Sequence, residues 1–173
     1  MAKNLLIFTG NGKGKSTASF GMAVRAAGHG QQVLILQFMK SDASTGELVG
    51  LRDKLKIDMR QMGLGFVPKP DHPKYPAHKE AAQKAFAVAA QAMQSGDYDL
   101  LILDEICGTV TAGLVSEQQV LDAVAASRDD LNIVLTGRNA TVKMIEMADT
   151  VTEMVPLKHA LEAGVAAREG IEF

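Results

Sequence analysis

Thr9-Gly10-Asn11-Gly12-Lys13-Gly14-Lys15-Ser16-Thr17 is the stretch that decides how this chain folds. Ahead of it runs the apolar Leu5-Leu6-Ile7-Phe8, and behind it Ala18 to Ala27 reads as a helix. Strand, glycine-rich turn and helix, with Gly14-Lys15-Ser16 at the helix mouth, make the setting of a phosphate-binding loop. Its glycines let backbone N–H groups turn inward without Cβ clashes. The helix start adds unpaired donors and the positive end of its dipole, which favour an anion. Lys15 has the reach for outer phosphates, and Lys13 already has its backbone in the loop. The Ser16 hydroxyl suits Mg²⁺, which takes hard oxygen ligands. Aligned to G-x-x-x-x-G-K-[ST], Thr9 stands where the first glycine belongs. A dinucleotide fingerprint fails, because the third glycine is misplaced and the second strand ends Leu36-Gln37-Phe38 without the expected acid. The expected ligand is a nucleoside triphosphate.

Working outward, 173 residues predict one domain over 1–173, with a sizeable core. Hydrophobic and charged contents of 47% and 22% fit an ordinary globular protein. A net charge of −2 gives no basic face for nucleic acid. The single cysteine, Cys107, rules out an internal disulfide and fits a reducing compartment. No apolar run approaches a membrane span, so the expected location is the cytoplasm.

Further along, Val33 to Phe38 is a continuous apolar run, as a strand buried on both faces requires. A loop follows over Met39 to Glu47, and a short strand is expected within Leu55 to Met62. Gly63, Gly65, Pro68, Pro70, Pro73 and Pro76 make 63–76 irregular, and a loop of that length reads as a lid or substrate loop, with a plain connector as the alternative. Ala77 to Gln94 has helical spacing. Leu100 to Glu105 is a buried strand ending in two acids, and Ser116 opens a capping box for a helix to about Ser127. Asn132 to Leu135 is a strand, Thr141 to Ala148 a short helix and Val151 to Val155 a last strand. Alternation of this kind predicts an α/β, three-layer P-loop NTPase-like fold, with a mostly parallel sheet and helices on both faces.

An apolar strand ending Asp104-Glu105, following a phosphate loop, can set a carboxylate against the loop's Mg²⁺. Because side chains alternate along a strand, the two acids are expected to divide roles: one faces the metal and the other anchors its neighbours or holds a metal-bound water. Arg138, at a strand end, suits bidentate phosphate binding, with a surface ion pair as the alternative. The four histidines lack metal-ligand spacing, and Cys107 reads as a buried apolar residue.

With these residues in place, the chain resembles the ATP:corrinoid adenosyltransferases of the cobalamin-handling P-loop family. The variant phosphate loop, Gln37-Phe38, Gly46-Glu47, Met62-Gly63 with Gly65-Phe66, Leu103-Asp104-Glu105 and Leu135 to Arg138 carry the resemblance. The tail adds Ala148 to Met154, Lys158-His159-Ala160, Ala163-Gly164-Val165 and Gly170 to Phe173. The resemblance implies that a reduced Co(I) corrinoid attacks C5′ of ATP and triphosphate leaves, with ATP lying in the loop in reversed phosphate polarity. It implies that Gly10, Asn11, Gly12, Lys13, Gly14, Lys15, Ser16 and Thr17 hold the triphosphate, with Lys15 and Glu105 catalytic. Glu105 is the preferred metal ligand, with Ser16 opposite it. It further implies a homodimer, and a flavoprotein reductase as a source of Co(I). Some relatives carry a tryptophan after the Gly-x-Gly-Phe motif, pressed on the corrin face. This chain has none, so Phe66 is left to keep part of that role. The competing readings on the same fold are a nucleotide hydrolase or kinase, and a non-catalytic ATP- or corrinoid-binding module.

Overall fold

In a computed structural model, which describes residues 3–158, 160 and 164–171, six parallel strands form one sheet. In chain order they are β1 (Asn4–Thr9), β2 (Val33–Gln37), β3 (Asp58–Gln61), β4 (Leu100–Asp104), β5 (Asn132–Thr136) and β6 (Thr150–Glu153). Across the sheet the order is β3-β2-β4-β5-β1-β6. One strand, β5, therefore separates the strand that feeds the phosphate loop from the strand that ends in acids. The tail residues His159, Ala163, Glu172 and Phe173, which carry part of the family resemblance, lie outside the described residues.

Alternation along the central strands sends side chains to opposite layers. Leu34, Leu36, Leu101, Leu103, Ile133 and Leu135 pack with the long helix α3 (Tyr75–Ser95) and with α5 (Glu117–Ala125). Val33, Ile35, Ile102 and Val134 pack on the other face with Phe20, Ala23 and Ala26 of α1 (Lys15–Gly28). This is the three-layer architecture that the apolar runs predict, and the sheet is parallel throughout.

Three short elements depart from the sequence expectation. Gly46–Leu48 (α2) starts within the expected Met39 to Glu47 loop and runs into a π-helical turn at Val49–Lys54, a stretch given no element from the sequence, burying Leu48 and Leu51. Ile106–Thr111 (α4) follows β4 directly, although its β-branched residues and glycine are poor helix formers. Burial of Ile106 and Cys107 in the core overrides that preference. Helix α3 begins at Tyr75, two residues before the expected start, because Pro76 occupies a first-turn position where its missing N–H costs nothing. The Ser116 capping box is formed as expected, with reciprocal bonds to Gln119. Among the described residues the last helix, α6 (Val142–Met147), leads into β6, whose residues are all exposed. Among the described residues no helix is long and apolar enough to cross a membrane.

Leu103 is fully buried between the sheet and α3. Leu103→Ala is expected to cost about 2–5 kcal/mol by lost transfer energy plus a residual cavity. Urea denaturation checks this through a lowered midpoint at unchanged slope.

Candidate active site

Parallel strands bring all their carboxyl ends to one edge, which is where open α/β sheets bind ligands. The phosphate loop leaves β1 at this edge and enters α1 through Gly14, whose left-handed φ of 115° is open to glycine. Gly12 has a different reason for its lack of a side chain. Its N–H donates to the Met154 carbonyl at 2.6 Å, and a Cβ there would stand 2.7 Å from that oxygen. Thr9, in the place of the usual first glycine, is tied into the scaffold. Its hydroxyl accepts from the Ala140 N–H at 3.2 Å and its carbonyl from the Met154 N–H at 2.9 Å.

A cavity of about 680 Å³ opens beside the loop. Lys13, Gly14, Lys15, Ser16 and Thr17 line one end, with Glu105 and Lys40 beside them. Phe20, Val24 and Leu51 supply an apolar wall. Lys15 is buried, and its ammonium donates to the Gly12 carbonyl at 2.8 Å. Burial lowers its pKa, opposed first by the negative charge of Glu105.

The two acids of β4 divide roles. Asp104 is 0% exposed and accepts from Ser16 Oγ at 2.7 Å, Thr136 Oγ1 at 2.8 Å and Gln37 Nε2 at 3.0 Å. Thr136 in turn accepts from the Glu105 N–H at 2.9 Å. Glu105 leaves the strand in the left-handed conformation, φ 65°, rare for a residue with a side chain and common at functional positions. That turn swings its carboxylate into the cavity instead of the core. Burial and the neighbouring Asp104 raise the Glu105 pKa, and Lys15, Arg138 and Lys40 partly offset them.

Arg138 is exposed just beyond β5, near enough for its charge to act on both Lys15 and Glu105. Gly10 and Asn11 form the loop's outer turn, while Lys13 and Thr17 present exposed side chains to the cavity. Phe66 does not line that cavity. It is 95% exposed on a loop hung from the end of β2 by Met62 N–H to Gln37 O and Gly65 N–H to Met39 O. Cys107 is buried and its thiol pushed up to about 12, as an inert core cysteine should be. Sequence reasoning missed Lys40 and the apolar wall, which belong to no spaced motif, and met Thr136 only within the Leu135 to Arg138 match, without a role for it.

The donor set suits a divalent cation of the Mg²⁺ type. Ser16, Asp104 and Glu105 all offer hard oxygens, and the Ser16 proton points at Asp104, leaving the hydroxyl oxygen free to ligate. Among the described residues no group of three His, Cys, Asp or Glu side chains is placed to hold a metal ion. Mg²⁺ is commonly held by one or two carboxylates together with substrate phosphates.

Fold and site together define a nucleotide-binding P-loop protein with a wide, partly apolar cavity. The family model for ATP:corrinoid adenosyltransferase BtuR/CobO/CobP matches residues 2–173. A corrinoid adenosyltransferase of Pseudomonas aeruginosa is 43% identical over 171 residues, covering 98% of this chain and 83% of that protein. Those of Escherichia coli and Salmonella typhimurium are 34% and 33% identical, each alignment covering 98% of this chain and 85% of theirs. The chain belongs to the ATP:corrinoid adenosyltransferase family.

Two outcomes follow for the acids. Asp104→Ala removes the acceptor of the buried Thr136 and Gln37 donors and of the half-buried Ser16, so it is expected to destabilise by several kcal/mol, about 1–3 per buried donor left unsatisfied. Glu105→Gln acts in the opposite sense. A carboxylate whose folded pKa is raised weakens the fold as pH rises through that value, so the variant should melt higher than the parent at pH 7 but not at pH 4. Thermal melts at both pH values check the sign.

Proposed function

We propose that this chain transfers the 5′-deoxyadenosyl group of ATP to the Co(I) centre of a reduced corrinoid, releasing triphosphate. The observation that carries the reading from the site is the cavity, which joins a phosphate loop to an apolar wall in a chain of this family. In the transfer, the cobalt electron pair forms the Co–C5′ bond while the C5′–O bond breaks and its electrons leave on the triphosphate. No side chain need be the nucleophile. The protein's task is to hold the leaving group, orient C5′ and exclude water from a strongly reducing centre.

In this reading Lys13, Lys15 and the N–H groups of Gly14 to Thr17 stabilise negative charge that grows on the triphosphate. Gly10, Asn11 and Gly12 shape the loop, and Arg138 reaches the phosphates from the end of β5. Ser16 and Glu105 would hold Mg²⁺, which would neutralise phosphate charge, while Asp104 holds Ser16 and, through Thr136, the Glu105 backbone. Phe66 meets the corrin face from outside the cavity. The reading includes a single domain over 1–173, a homodimer, a flavoprotein reductase supplying Co(I) and a cytoplasmic setting. It includes neither nucleic acid nor a membrane as a partner.

The test is phosphorus NMR of the products formed from ATP, Mg²⁺ and chemically reduced corrinoid without oxygen. Triphosphate that appears only with the reduced corrinoid is the expected result. ADP and phosphate formed without corrinoid would indicate a hydrolase. Lys15→Ala is expected to lower kcat about 10²–10³-fold, as loss of one charge-stabilising donor does elsewhere. Because Glu105 must be ionised to ligate a cation and its pKa is raised, activity should begin to fall on the acid side at a higher pH than an ordinary carboxylate would set.

A further inference from the structure

The polar groups at the carboxyl edge form a row that runs across the sheet and away from the phosphate loop. Register sets it: Gln61 of β3 lies opposite Gln37 of β2, and Gln37 lies opposite Asp104 of β4. From Ser16 the row passes to Asp104, and Gln37 Nε2 donates to Asp104 Oδ2 at 3.0 Å. Gln61 Nε2 then donates to Gln37 Oε1 at 3.1 Å and to Thr45 Oγ1 at 3.3 Å. Gln37, Asp104 and Thr45 are buried, in a region otherwise packed with apolar side chains. Buried polar groups in such surroundings are costly unless every member is satisfied, and a satisfied row has one low-energy arrangement.

Both ends of the row have functional neighbours. Ser16 lies in the phosphate loop. Thr45 precedes α2, whose Gly46 and Glu47 line the cavity. Gln61 is followed at once by the 62–66 loop, which is also pinned to β2 by the Gln37 and Met39 carbonyls. The two glutamine side chains thus join the ends of β2 and β3, the strand ends from which the segment that presents Phe66 hangs. A ligand that takes a lone pair of the Ser16 oxygen leaves its O–H donating to Asp104 and reinforces the first bond of the row.

We propose that Gln37 and Gln61 are positioning residues, which transmit occupancy of the phosphate loop to the 62–66 loop and the start of α2. The proposal rests on the nucleotide reading of the site. It makes the platform for the second substrate depend on two amides that do not line the cavity beside the phosphate loop.

Hydrogen exchange of the whole chain, with and without MgATP alone, tests it. MgATP should slow exchange over residues 10–17, and over 62–66 by roughly tenfold, within the ordinary range of coupling between sites. In Gln61→Leu and Gln37→Leu the protection of 10–17 should persist while that of 62–66 is lost. Thr45→Val, which removes only the end of the row, should weaken it, and Gln118→Leu, an exposed amide off the row, should leave it intact. Retained protection at 10–17 also shows that each variant is folded. In turnover, Gln61→Leu should raise the KM for corrinoid with little change in the KM for ATP, a split that general loosening would not give. Equal protection of 62–66 in parent and glutamine variants would overturn the proposal, as would no protection of 62–66 in the parent. MgATP that left 10–17 unprotected in the parent would overturn the nucleotide reading, and the proposal with it.

Discussion

A carboxylate removed from water is tolerated only when its charge is met by donors, and Asp104 is met by three, each from a different part of the chain. Ser16 comes from the first turn of α1, Thr136 from the end of β5 and Gln37 from the end of β2. Their convergence requires those ends to stand side by side, and a parallel sheet in the order β2-β4-β5-β1 provides it. Losing any one donor leaves charge uncompensated in a medium that screens it poorly. The carboxyl edge is therefore held by a specific polar constraint as well as by apolar packing. Glu105 depends on the same constraint, because Thr136 joins Asp104 to the Glu105 backbone where the chain turns left-handed.

This division explains how two adjacent acids come to differ. Strand alternation alone predicts that they face opposite ways, but it does not say which faces the ligand. The left-handed turn decides it: Asp104 stays in the strand and looks into the polar row, while Glu105 leaves the strand and looks into the cavity. Burial raises the Glu105 pKa because its compensating charges, Lys15, Arg138 and Lys40, do not fully replace the water it has lost. Such a carboxylate gains from a nearby cation, which the proposed metal–triphosphate complex would supply.

Much of the architecture was legible because parallel strands buried on both faces are written as unbroken apolar runs. Val33 to Leu36, Leu100 to Leu103 and Ile133 to Leu135 could be read directly, and the phosphate loop fixed what lay at their ends. Corrinoid chemistry came from the resemblance, and family membership bears it out. The short helix at Ile106–Thr111 was hidden, since its local preferences oppose a helix and only core packing selects one. Gln37, Gln61, Thr45 and Thr136 were hidden as participants for another reason. They have no common spacing, and become neighbours only once register is known. The cavity's apolar wall is scattered in the same way, over α1 and the π-helical turn.

The missing first glycine is a further case in which sequence shows a departure and structure supplies its cause. A glycine is needed there when the backbone must bend freely around a ligand. In this chain the position has become structural. Thr9 is buried, its hydroxyl holds the 139–140 turn and its carbonyl holds the end of β6. The same strand end then lies over Gly10 and Gly12, where a methyl group would meet the Met154 carbonyl. The Gly12 N–H, directed at Met154, is likewise committed to the scaffold. The first half of the loop is thus a joint between β1 and β6, which leaves the amides from Lys13 onward and the α1 terminus as the donors that the proposed phosphate grip would use. In that reading, a grip from the helix side keeps the atom under attack open to a large planar partner.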